Sequence, residues 1–180
     1  MAETTGSATG RSRMVTGLFR DRESAERAYN SVTTRGYSND DVNLMMSEDT
    51  RKKHFTDDGR ETELGNKALE GGATGAAIGG TVGATIAAIA AIGTTLALPG
   101  IGLLVAGPIA AGLAGAGAGG ATGGLIGALI GAGIPEERVK HYEKGLKEGG
   151  IVMGVTPRSD EDAEYFETEW KNSRGEEVYR

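Results

Sequence analysis

Between Glu70 and Glu136 the chain carries no charged residue. That run of roughly 65 residues is long enough for two membrane-crossing helices of about 20 residues each. It is broken at Leu98-Pro99-Gly100-Ile101-Gly102, a strong turn signal. One apolar segment, Gly72–Leu98, precedes the break, and a longer one, Gly102–Gly133, follows it, with Pro108 placed to kink or restart the second.

Glycine is concentrated here: most of the chain's 31 glycines fall in this run. In the second segment Gly107, Ala111, Gly115, Gly119, Gly123, Gly127 and Gly131 recur every fourth residue. The first repeats the pattern less strictly, with Gly71, Gly75, Gly79, Gly83, Ala87 and Ala91. Four-residue spacing lines one slowly drifting face of a helix. Alone in water such a helix should fail, because each interior glycine costs about 0.8–1 kcal/mol relative to alanine. With a second helix against the small face, backbones approach closely and gain dispersion contacts, the logic of small-residue packing in membranes. The pattern predicts an antiparallel helical hairpin turning at Pro99 and Gly100. Its packing residues are Gly75, Gly79, Gly83, Gly107, Gly115, Gly119, Gly123, Gly127 and Gly131. Ile78, Val82, Ile86, Ile89 and Ile92 lie off that face, free for lipid or an apolar partner.

The flanks read differently. Residues 1–13 are polar and small, a disordered tail without the apolar core of a signal peptide. Met14–Phe19 reads as a short strand. Asp21 then serves as N-cap, Glu23 sits in the first turn, and Ala25, Ala28, Tyr29 and Val32 mark one helical face that ends at Gly36. Val42, Leu44 and Met46 alternate as a second strand, which a right-handed crossover would set parallel to the first. Residues 47–70 read as a polar linker, with a fragment of helix from Glu61 to Leu69. Beyond the uncharged run, Pro135 stands at a first helical position beside Glu136 and Glu137. Val139, Tyr142 and Leu146 form a stripe that Gly149-Gly150 ends. Ile151–Val155 is almost continuously apolar, as a central strand would be. Ser159–Asp162 matches a capping box, and Ala163, Phe166 and Trp170 mark a last helix. Residues 172–180 form a polar tail that could add an edge strand or stay loose.

The expected class is α+β: a small split β-α-β domain, ferredoxin-like, made of residues 14–46 and 135–171. The glycine-zipper hairpin of residues 71–134 is inserted between its second and third strands. The flanking parts total little more than a hundred residues, too few to wrap two long apolar helices completely, so apolar surface is left for lipid or for other copies.

Chemistry finds little to stand on. Net charge is −6 with no long basic run, which argues against nucleic acid. There is no cysteine, hence no disulfide, thiolate site or thiol nucleophile, and only His54 and His141 carry imidazole. Gly115-Ala116-Gly117-Ala118-Gly119-Gly120 formally matches a dinucleotide-binding pattern, but glycine at this density satisfies it by chance. Carboxylates are spread along solvated faces, so no acid/base pair stands out. No cofactor, metal or catalytic residue is expected, and the chain reads as a non-enzyme.

Several stretches resemble one family. Val15–Phe19, the helix start Glu23-Ser24-Ala25-Glu26, Gly36-Tyr37, Asp41-Val42, Leu98-Pro99-Gly100, Gly133-Ile134-Pro135-Glu136 and Gly149–Val155 look like the bacterial heat-induced general stress proteins of the YflT-like type. The resemblance spans most of residues 14–157. It implies a bacterial origin and a link to general stress, and it supplies no catalytic residue. Glycine-zipper surface lipoproteins share only the ladder and carry a lipid-bearing cysteine that this sequence lacks.

The expected function is a non-enzymatic general stress protein that associates through its zipper hairpin with a membrane. The alternative is a soluble structural protein that self-assembles into a large homo-oligomer through the same helices. Its expected partners are itself and a lipid bilayer. Its expected place is the cytoplasm, or the inner membrane with the α+β domain on the cytoplasmic side.

Overall fold

A computed structural model describes residues 14–53, 96–98, 102–115, 127, 129–130 and 134–180. In chain order these form strand β1 (Val15–Phe19), helix α1 (Arg22–Thr34), strand β2 (Val42–Ser47), the short helix α2 (Glu48–Arg51), strands β3 (Leu96–Leu98) and β4 (Leu103–Ala106), helices α3 (Pro108–Gly115) and α4 (Glu136–Lys147), strand β5 (Ile151–Val155), helix α5 (Asp160–Asn172) and strand β6 (Glu176–Tyr179). The class is α+β.

The strands make one six-stranded sheet in the order β3-β4-β2-β5-β1-β6, with every neighbouring pair antiparallel. Because β5 is antiparallel to both β1 and β2, those two run parallel, as the crossover rule required. They do not touch: β5 lies between them, pairing Val155 with both Val15 and Val42. All five residues of β5 are buried, as its unbroken apolar sequence demands of a strand covered on both faces.

Side chains alternate cleanly between two cores. Val15, Phe19, Val42, Leu44, Met46, Leu104, Ala106, Ile151, Met153 and Val155 face α1 and α5, where they meet Ala25, Ala28, Tyr29, Val32, Phe166 and Trp170. Leu18, Met45, Leu103, Val105 and Val152 face the other way, onto Ile109 and Ala110 of α3 and Val139, Tyr142 and Leu146 of α4. Trp170 stands edge-on to Phe19 at 5.7 Å and donates its indole N–H to the Ala28 carbonyl at 3.1 Å, so its one polar atom is satisfied in the core.

The helices begin where the sequence places their caps. Asp21 Oδ1 accepts from the Ser24 N–H at 2.8 Å, and Ser159 Oγ accepts from the Asp162 N–H at 3.1 Å. Pro135 itself is the N-cap of α4, one position earlier than expected.

Two expectations are corrected. The turn at Pro99 and Gly100 does not join two helices: the chain on either side, Leu96–Leu98 and Leu103–Ala106, is a pair of antiparallel strands with Leu98 opposite Leu103. The expected linker of residues 47–70 is ordered at its start, where Ser47 closes β2 and its hydroxyl accepts from the Thr50 N–H at 3.0 Å, capping α2. Of the two outcomes expected for the tail of residues 172–180, the edge strand is the one formed, at Glu176–Tyr179.

That edge is irregular. Its register to β1 shifts between Thr16 and Leu18, and Glu177 sits at φ +49, left-handed for a residue with a side chain.

Candidate functional site: the seat of the uncharged segment

The uncharged run reaches the sheet through β4. That strand pairs with β2 at four successive positions, Leu44–Ala106, Met45–Val105, Met46–Leu104 and Ser47–Leu103, and all four of its residues are buried. Glu48 N–H donates to the Gly102 carbonyl at 2.7 Å, fixing the start of β4 against α2.

At the other end of β4, Gly107 turns the chain from strand into helix. It has φ +96, and a Cβ there would lie 2.2 Å from the Val42 carbonyl oxygen. Only glycine fits, both by conformation and by space. Gly107 is therefore corrected from a helix-packing position to a strand–helix junction packed on β2.

Immediately after it comes a buried polar contact. Asn43, 1 % exposed and second in β2, accepts the Ile109 N–H on its Oδ1 at 2.7 Å. The first N–H groups of a helix have no partner within it, and this amide supplies one from another element. The other side of the amide faces the Met14 sulfur at 3.9 Å, a weak acceptor. Ile109 and Ala110 are buried here, while Ala111 is exposed.

The rest of the ladder divides. Gly115 is the last residue of α3. Gly127 is helical and exposed, and among the described residues nothing lies within 4 Å of where its Cβ would be. Gly75, Gly79, Gly83, Gly119, Gly123 and Gly131, with Pro99 and Gly100 themselves, lie outside the described residues.

A glycine that lets a helix approach closely is Gly145 in α4, where a Cβ would come within 2.4 Å of Leu18 Cδ2 on β1. Sequence reasoning passed over it because it stands alone in a charged helix; its only signal was its place beside Tyr142 and Leu146 on the apolar stripe.

Tyr142 crosses the same layer. Its hydroxyl lies 2.7 Å from Thr16 Oγ1 and 2.7 Å from the Glu177 carbonyl. A carbonyl can only accept, so the single phenol proton goes to Glu177 and the Thr16 hydroxyl donates in return. Burial pushes the Tyr142 pKa up to about 12, with the Thr16 bond opposing it.

A second polar cluster ties the end of α1 to the start of α5. Tyr37 donates to Asp162 Oδ2 at 2.6 Å and accepts from the Arg158 N–H at 2.7 Å, while the Arg158 guanidinium lies 4.0 Å over its ring and 3.0 Å from Asp41. Burial first, and then Asp162, raise the Tyr37 pKa; Ser38 bonds first, and then Arg158, hold Asp41 below the usual carboxylate range. Each group is matched by another, so the cluster clamps the end of α1 to the start of α5.

Among the described residues no group of three or more His, Asp or Glu side chains could hold a metal ion. No described helix is long and apolar enough to cross a membrane. Compared with family models, curated proteins and solved structures, the chain finds no match.

Proposed function

We propose that this chain is a non-catalytic stress protein that associates with a membrane through its uncharged, glycine-rich segment, carried on an α+β platform. The observation that carries the reading is the segment itself: roughly 65 residues without a charge, rooted at β4 and α3 in a domain whose flanks hold every Lys and Arg. The resemblance to heat-induced general stress proteins supports the link to stress. We read β1-α1-β2-β5-α5-β6 as a ferredoxin-like unit, since β2-β5-β1-β6 with α1 and α5 on one face is the strand plan such a unit has. The insertion then occupies the connection from its second to its third strand, and its α3, with α4, packs on the other face.

Fractionation of cells expressing the intact chain tests the reading. Retention in carbonate-washed membranes is the expected result; complete recovery in the wash would end it.

A second reading, self-assembly, is favoured by β3, whose Leu-Ala-Leu sequence is uncharged and which pairs only with β4 among the described residues. Sizing of the detergent-free protein distinguishes it, a particle much larger than one chain being its signature. If the zipper drives assembly, Gly119→Leu with Gly123→Leu lowers the order of that particle; an unchanged size would rule the zipper out.

A further inference from the structure

The part of the uncharged segment that the sheet holds is held in a form that no membrane-crossing helix could use. Residues 103–106 are extended, Gly107 has a positive φ, and α3 starts only at Pro108. A single strand in lipid leaves its backbone N–H and C=O groups unsatisfied, so a bilayer accepts this stretch only after β4 has left β2 and become helical.

What opposes that departure is visible. It is the backbone pairing of β4 with β2, the burial of Leu103, Leu104, Val105, Ala106, Ile109 and Ala110, and the bond from Ile109 N–H to Asn43. No charge in the segment contributes. Asn43 is informative because a strand reading Val-Asn-Leu-Met-Met buries an amide where an aliphatic side chain would sit at no polar cost. Its one strong partner comes from α3, so the amide is satisfied only while the segment is docked.

We propose that the pairing of β4 with β2, fastened by Asn43 to the start of α3, is an autoinhibitory latch. It withholds the centre of the uncharged segment from the bilayer, and its release is the step that membrane association requires. This inference rests on the membrane reading above.

The chain has no cysteine of its own, so a disulfide can lock the latch without competing thiols. Met45 and Val105 are directly opposite, within the reach of such a bond. The experiment floats the full-length Met45→Cys, Val105→Cys protein, oxidised and then reduced, with vesicles of phosphatidylethanolamine and phosphatidylglycerol. Near-ultraviolet circular dichroism checks the fold of both forms, and Leu44→Cys with Ala106→Cys, on the other face, serves if the first pair disturbs it.

Oxidation is expected to lower the vesicle-bound fraction about tenfold and reduction to restore it, while Asn43→Ala raises binding several-fold by favouring the released state. Equal binding of the oxidised and reduced forms overturns the latch and leaves the membrane reading standing. Failure of the unsubstituted chain to float overturns both.

Discussion

The two faces of the sheet are covered by different means. On one, α1 and α5 are amphipathic helices with side-chain caps, charged outer faces and large aromatic residues, Tyr29, Phe166 and Trp170, driven into the core. On the other, α4 and α3 come down on glycines, Gly145 against Leu18 and Gly107 against β2, with the polar atoms of Asn43 and Tyr142 threaded between. The first face is stabilised mainly by buried area, which tolerates small shifts. The second depends on close approach, which does not.

The sharpest way to break the first face is Trp170→Ala. It removes the largest fully buried side chain, its edge contact with Phe19 and its bond to Ala28. A loss of about 3–5 kcal/mol is expected in urea unfolding. A loss below about 1 kcal/mol would mean that aromatic burial is not what holds α5 down.

For the second face the test is an addition rather than a deletion. Gly145→Ala puts a methyl group where Leu18 already stands. Overpacking should cost about 1–3 kcal/mol, offset by about 1 kcal/mol from the better helix propensity of alanine, so a net loss of up to about 2 kcal/mol is expected. A stabilised variant would show that α4 can lift off β1 freely, and the contrast between the faces would fail.

Tyr142→Phe is the most diagnostic. It deprives the Glu177 carbonyl and the Thr16 hydroxyl of their partner, at about 1–2 kcal/mol near neutral pH. Its pH dependence has a definite sign. The folded pKa, about 12, exceeds the unfolded value near 10, so the unfolded chain gives up this proton first. The associated stability is complete below pH about 10 and is lost as pH rises towards about 12. Unfolding curves across that interval should fall less steeply for the Phe variant than for the parent.

The same contrast explains what could be read in advance. Helices α1, α4 and α5 declare themselves by 3.6-residue periodicity and by Asp21, Pro135 and Ser159 at their starts, and β5 by its unbroken apolar run. Strand β4 does not. Leu103-Leu104-Val105-Ala106 is buried on both sides, and a short apolar run of that kind has no period to tell strand from helix. Its place in an apolar segment whose four-residue ladder begins just after it, at Gly107, suggested a helix, and the brackets Gly102 and Gly107 were the contrary signal. Asn43 was legible only as the polar half of an alternation, because that reading assumes one face of the sheet meets water. Here both faces are covered, and the amide has to find its partner inside.

The irregular edge has a consequence for how copies of this chain could join. At β6 the glutamates, the shifted register and the left-handed Glu177 leave no flat ladder for another strand to copy. At β3 the sequence is uncharged and, among the described residues, only one side is paired. Among the described strands, addition thus has a single open direction. Addition at β3 alone joins two copies as a twofold pair, so a larger particle needs the zipper as well; an endless ribbon needs both margins, and the described strands offer one.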